Sequence, residues 1–206
     1  MVTKRVLITG GNGYIARNTI PFLSEYDLTV LSREKLDLLD SEKVKEFFQD
    51  KVFDTVIHTA TYGGYRTQKD DPEWVYKNVA MFYNLMNCQY SFRQIINLSS
   101  GAQFDRRYPI DDTRFLHHSF PIDPYGLSKN IITKVGRDSN KFKNFIIIFI
   151  YCFNFNSIGF GYFGNFNWFC IHIILFPSKI KNKCLLHFRS CYFYNYNINI
   201  INPLLS

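Results

Sequence analysis

RVLITGGNGYIA, residues 5–16, decides the fold. Arg5 to Thr9 is an apolar run of strand length, and Gly10-Gly11-Asn12-Gly13 ends it. A helix is predicted from Tyr14 to about Glu25, with Pro21 an irregularity inside it, because proline lacks an amide hydrogen. Glycines between a buried strand and a helix permit a tight turn and let backbone N–H groups come close to a ligand. The start of the helix adds a dipole that favours an anion such as a pyrophosphate, and Ala16 is small enough for close helix–strand packing. A glycine triplet alone is weak evidence. Placed after RVLIT and opening a helix, it is strong.

Outward from that loop, strand and helix alternate. Leu28–Ser32 reads as a second strand, and Ser41 as the N-cap of a helix that buries Val44, Phe47 and Phe48. A third strand holds Thr55–His58. A helix from about Pro72 to Tyr90 sets Val75, Val79, Phe82, Leu85 and Met86 along one stripe. Gln94–Ser99 is a fourth strand, a helix follows from about Tyr125, and a fifth strand begins at Phe145. This order predicts an α/β fold, a doubly wound parallel sheet of Rossmann type. Between Gly101 and Pro124 runs a long polar loop with His117 and His118, read as exposed loop histidines ahead of substrate contacts.

Composition sets limits. The 206 residues suffice for one α/β domain with a core, and 47% hydrophobic with 20% charged residues excludes a disordered or collagen-like chain. Net charge is +7, yet the first 144 residues show no basic stripe with interleaved aromatics, so no nucleic-acid partner is expected. Of the five cysteines only Cys88 lies in that part, and Cys152, Cys170, Cys184 and Cys191 lack C-x-x-C spacing, so no metal site or redox pair is expected. The N-terminus has no signal-peptide apolar region, and a cytoplasmic location is the expectation.

Two further features carry chemistry. The second strand ends Leu31-Ser32-Arg33, where an arginine can receive a 2′-phosphate and Ser32 can add a donor, which favours NADP over NAD. Tyr125-Gly126-Leu127-Ser128-Lys129 places a phenol and an ammonium four residues apart on one helix face. The cation favours the phenolate, and such a tyrosine can exchange a proton with a substrate hydroxyl or carbonyl while hydride moves to or from nicotinamide. Ser99-Ser100 at the end of the fourth strand offers the companion hydroxyl.

With VLITGGNGYIA, LDLLD, VIHTAT, KNV, INLSSGA and PYGLSK in that order, residues 4 to about 144 resemble the extended short-chain dehydrogenase/reductases, the NAD(P)-dependent epimerase/dehydratase group acting on nucleotide sugars. Residues 32–48 are particularly similar to its sugar reductase/epimerase branch. The resemblance implies pyrophosphate at Gly10, Gly13, Tyr14 and Ile15, adenine beside Asp37 and Leu38, and Thr59, Ala60 and Thr61 along the cofactor. It makes Asn78 a buttress, Tyr125 the acid/base, Lys129 its partner on the nicotinamide ribose, and Ser100 the polarising hydroxyl, with Ser99 as runner-up. The expected activity is that of a nucleotide-sugar epimerase, dehydratase or reductase. Alternatives are a dinucleotide-binding module without turnover and a broken gene product. A homodimer is held open.

The average composition hides a boundary near residue 144. All 17 acidic residues lie at or before Asp138, and Phe, Ile, Asn and Tyr fill 37 of the last 62 positions. Residues 1–144 read as the dinucleotide-binding domain. Residues 145–206 read as an atypical tail in place of a substrate domain. A membrane segment over 145–178 is disfavoured by Asn154, Asn156, Asn165, Asn167 and His172 in its middle. A β-rich subdomain suits Phe, Ile and Tyr. The preferred reading is translation of AT-rich DNA in a wrong frame or through an intron, since codons of A and T alone encode Phe, Leu, Ile, Tyr, Asn and Lys. Sequencing the transcript across codon 144 should then reveal an adjacent frame that continues with Leu-Arg-like and Tyr-Gly-like motifs. Recovery of the peptide NFIIIFIYCF from the native protein would overturn this.

Overall fold

The computed structural model describes residues 3–64, 68–105, 107, 120–138, 144–154, 167–177 and 190–192, as backbone alone from residue 137 onward. Among the described residues seven strands form one sheet: β1 (Arg5–Thr9), β2 (Asp27–Leu31), β3 (Phe53–His58), β4 (Phe92–Ser100), β5 (Asn144–Asn154), β6 (Asn167–Pro177) and β7 (Ser190–Tyr192). Four helices accompany them: α1 (Tyr14–Thr19), α2 (Ser41–Phe48), α3 (Glu73–Asn87) and α4 (Pro124–Asp138). The strand order is β2-β1-β3-β4-β5-β6-β7. All neighbours from β2 to β5 pair in parallel, whereas β6 and β7 add on antiparallel. The chain order therefore reverses between β1 and β3. A doubly wound sheet opens its ligand crevice at that point, outside the carboxyl ends of the strands.

Side-chain alternation along the strands makes two apolar layers. Val6 and Ile8 join Ile57, Ile96 and Leu98 on one face, covered by Ala16 of α1 and by Leu23 just after it. Leu7, Val56 and Ile95 face the other way. They meet Val44 and Phe48 of α2, Met81, Phe82, Leu85 and Met86 of α3, and Ile132 of α4. Both faces of β1 and β3 are thus covered, which accounts for their unbroken apolar runs.

Some boundaries differ from those expected. α1 ends at Thr19 and passes into a 3-10 turn, Ile20–Leu23, so helical structure stops short of Glu25. Pro21 has no N–H to give the preceding turn, and the tighter winding accommodates it. The N-cap of α2 is Asp40 and not Ser41: Asp40 Oδ1 accepts from the Lys43 amide at 3.1 Å. Both residues are good caps, and Asp40 stands at the right offset. α3 runs from Glu73 to Asn87, with Phe82, Leu85 and Met86 buried as expected and Val75 and Val79 half-buried. β5 starts at Asn144, where the composition changes, and continues the parallel sheet beside β4. His117 and His118 lie outside the described residues. Among the described residues no helix is long and apolar enough to cross a membrane.

Phe82 is fully buried where α3 crosses the sheet. Phe82→Ala is expected to cost about 3–5 kcal/mol of stability, through lost transfer energy and the cavity left behind. Urea unfolding checks this; a loss below 1 kcal/mol would mean that α3 does not pack as described.

Candidate active site

The loops after β1 and β3 enclose a cleft of about 580 Å³. Its floor is the glycine loop. Gly10 has φ +71, and a Cβ there would lie 2.7 Å from the Ala60 amide nitrogen. Only glycine combines that conformation with so close a passage. The Gly11 amide donates to the Leu31 carbonyl at 2.8 Å, tying the loop to β2. α1 then opens behind Gly13 without any side-chain cap on its first amides. Among the expected cofactor residues, Gly10, Gly13, Tyr14, Ile15, Ser32, Arg33, Asp37, Leu38, Thr59, Ala60 and Thr61 all line this one cleft.

Asn78, Tyr125, Lys129 and Ser100 are not in the cleft wall; Asn78 and Tyr125 touch Tyr62 and Gly64, which are. Asn78 is a clamp: Oδ1 accepts from the Tyr62 amide (2.7 Å), while Nδ2 donates to the Tyr62 carbonyl and to Ser128 Oγ (both 3.0 Å). Ser128 Oγ in turn donates to the Tyr125 carbonyl at 2.7 Å. One carboxamide therefore holds the loop after β3 and the first turn of α4 together. The Tyr125 ring lies against Gly64, which lines the cleft with φ +81; a Cβ on Gly64 would come within 3.0 Å of Tyr125 Cζ. The Tyr125 amide donates to Asp70 Oδ2 at 3.2 Å, a second tie to that loop.

Lys129 is 5% exposed, and its Nζ donates to the Leu98 carbonyl at 2.9 Å and stands 5.5 Å from the centre of the Tyr125 ring. Burial pulls its pKa down from the ordinary lysine value to about 8. Nearby, His58 at the end of β3 is 3% exposed, with Nδ1 2.9 Å from Thr9 Oγ1. Burial, and then the charge of Lys129, pushes the imidazole down to about 3. His58 is therefore neutral at physiological pH.

The two serines differ. Ser99 Oγ donates to Gln103 Oε1 at 2.9 Å, inside a buried cluster that includes Thr133. Ser100 is half-buried and accepts from the Ala102 amide at 3.2 Å, which leaves its own proton to be donated. α4 packs closely on both sides of Ser100, through Lys129 on the Leu98 carbonyl and through Gly126 on the Ala102 carbonyl.

Several lining residues escaped the sequence. Glu34 lies in the cleft and accepts from Asn12 Nδ2 at 3.2 Å; a hydrogen bond from Ser32 is the main reason that its carboxyl is held below the ordinary value. Ser32, expected as a phosphate donor, thus has Glu34 as a competing acceptor. Arg33 stands 3.6 Å from Asp37 and 5.4 Å above the Tyr62 ring. Tyr62, Trp74 and Met81 complete the wall. Nothing in local sequence distinguishes them from ordinary loop or helix residues. Among the described residues no group of His, Cys, Asp and Glu is placed to hold a metal.

Residues 6–167 match the NAD dependent epimerase/dehydratase family. GDP-L-fucose synthase of Azorhizobium caulinodans is 30% identical over 154 residues, covering 69% of this chain and 49% of that protein. MlghC, a GDP-mannoheptose C4 reductase from Campylobacter jejuni with NADP bound, superposes with a TM-score of 0.65 at 17% identity, over 72% of this chain and 51% of that one. A GDP-L-fucose synthetase from Naegleria fowleri bound to NADP gives 0.54 at 24% identity, over 66% and 49%. The two structures show the fold. The chain spans about half the length of each of these proteins.

The neutral His58 makes a prediction about pH. Between its unfolded value of about 6.5 and its folded value of about 3, the unfolded chain binds a proton at His58 that the folded chain refuses. Stability should therefore fall as pH drops through this window, with a contribution approaching about 1.4 kcal/mol per pH unit. Above pH 7.5 the contribution is flat. His58→Asn should reduce the slope of unfolding free energy between pH 6.5 and 4.5 relative to the parent; equal slopes would show that His58 titrates normally.

Proposed function

The chain belongs to the NAD dependent epimerase/dehydratase family, and from that premise we propose that residues 1–144 are the dinucleotide-binding domain of an oxidoreductase that acts on a nucleotide sugar as an epimerase, dehydratase or reductase. The observation that carries this reading is the placement of Tyr125, against Gly64 at the edge of the cleft, with the Lys129 ammonium on its ring. The residues present suit a dinucleotide: a glycine floor that a Cβ would fill, a helix start without a side-chain cap, and a cleft that runs on to Arg33 and Asp37. When bound, the nicotinamide supplies or accepts the hydride.

In this reading Tyr125 moves the proton at the substrate oxygen, and Ser100 donates to the same oxygen. Lys129 is cationic below about pH 8, so its charge favours the phenolate at neutral pH and fades above that. Thr59 to Thr61 run along the cofactor, and Asn78 acts by position, through Ser128 and Tyr62. NADP is the preferred cofactor because Arg33 is the cation at the end of β2. Glu34 in the same loop opposes a phosphate, and NAD is the alternative. A cytoplasmic location belongs to the same proposal. So does a homodimer, to which Tyr76 and Tyr83, exposed along α3, lend an uncovered surface. Residues 145–206 are proposed to stand in place of a substrate domain.

A second reading, a dinucleotide-binding module without turnover, is favoured by the cleft wall itself, which holds the expected cofactor residues but not Tyr125, Lys129 or Ser100. Tyr125→Phe separates the two. Under the first, NADPH-dependent conversion of a nucleotide sugar should fall at least 100-fold with the NADPH affinity unchanged. Arg33→Ala should weaken NADPH at least tenfold and leave NADH as before. A parent chain that binds NADPH but turns over no nucleotide sugar supports the module. Binding of neither cofactor defeats both.

A further inference from the structure

We propose that Trp74 is the surface on which the sugar ring of the substrate stacks, an assignment that rests on the nucleotide-sugar reading above. The dinucleotide is accounted for by three stretches of cleft wall: the glycine loop, Ser32 to Leu38, and Thr59 to Thr61. Tyr62, Gly63, Gly64, Trp74 and Met81 line what is left, and this remainder adjoins Tyr125.

The backbone there is built around two aromatic rings. Gly63 (φ +85) and Gly64 (φ +81) are consecutive left-handed residues. A Cβ on Gly63 would stand 2.5 Å from Cε3 of Trp74, and one on Gly64 would stand 3.0 Å from Cζ of Tyr125, the carbon that bears the hydroxyl. Neighbouring Cα atoms are about 3.8 Å apart, so the indole edge and the reactive phenol lie within roughly 12 Å of each other. A pyranose presenting one carbon to Tyr125 has its ring within reach of Trp74.

The chemistry of the indole fits that guest. A sugar ring has an apolar face of C–H groups that are polarised positively, and a π-system carries negative charge on its face. Trp74 also differs from the packing residues of its helix. Phe82 and Leu85 are fully buried, whereas Trp74 sits in the first turn of α3, half-buried, with its six-membered ring on Gly63, and lines the cleft.

The chain has two tryptophans, so Trp168→Phe leaves Trp74 as the reporter. This protein, saturated with NADP⁺, is titrated with GDP-mannose, UDP-glucose and dTDP-glucose, and with the matching nucleoside diphosphates. Emission from Trp74 should respond to a sugar nucleotide and not to its diphosphate. By calorimetry, Trp74→Ala should weaken that sugar nucleotide at least tenfold and leave NADP⁺ within twofold, and Trp74→Phe should retain most of the affinity. Unchanged sugar-nucleotide affinity in Trp74→Ala overturns the assignment. An equal loss of NADP⁺ affinity overturns it too, and moves Trp74 to the cofactor site. If the parent binds NADP⁺ but none of the three sugar nucleotides, the nucleotide-sugar reading itself fails.

Discussion

No side chain fits at Gly10, where the chain leaving β1 passes the loop after β3. Gly10 passes the Ala60 backbone at a distance that excludes a Cβ, and the rest of the cleft depends on that closeness. It lets Thr59 Oγ1 reach the Thr9 carbonyl at 2.6 Å, and it allows His58 to meet Thr9 across the two strands. With the Gly11 amide on the Leu31 carbonyl, the loop is fastened to the strand on each side of β1. A turn held at both flanks keeps its shape without any ligand, so little ordering cost remains to be met on binding.

The electrostatics follow from the same crowding. His58 and Lys129 are buried close enough for the charge of one to oppose protonation of the other. Two cations in so apolar a place would be costly, and the weaker base stays neutral. The neutral imidazole serves as a hydrogen-bonding spacer, and the one remaining ammonium is directed at Tyr125. Asn78 acts on the Tyr125 backbone through Ser128, whose hydroxyl donates to the Tyr125 carbonyl. Tyr125 is consequently located by a helix, a carboxamide, one glycine and a cation. None of them needs to touch a substrate to matter.

What could be read from sequence was whatever is local or periodic. Arg5 to Ala16 declares its strand, turn and helix within twelve residues, Tyr125 and Lys129 share a face by spacing alone, and the apolar runs of β1 and β3 announce burial on both sides. Asp40 was missed as a cap because Ser41, next to it, is equally suited by type, and only the amide geometry separates them. Glu34, Trp74 and His58 were missed for another reason. Glu34 looks like a solvated loop acid until Asn12 is brought to it from another loop. Trp74 looks like helix packing until Gly63 takes its place beneath it. His58 is an ordinary strand residue until α4 brings Lys129 near. Their meaning is tertiary, and no spacing within one segment carries it.

Gly63 and Gly64 have a consequence at the level of the gene. Both hold left-handed backbone with an aromatic ring where a Cβ would go. Asparagine, which tolerates that backbone best among the other residues, lies at least two base changes away from any glycine codon. A single change yields Ala, Val, Ser, Cys, Asp, Glu, Arg or Trp, each of which adds a Cβ where the rings already stand. Drift at these two codons has no smooth path, and a lineage that loses one of them must rebuild the loop.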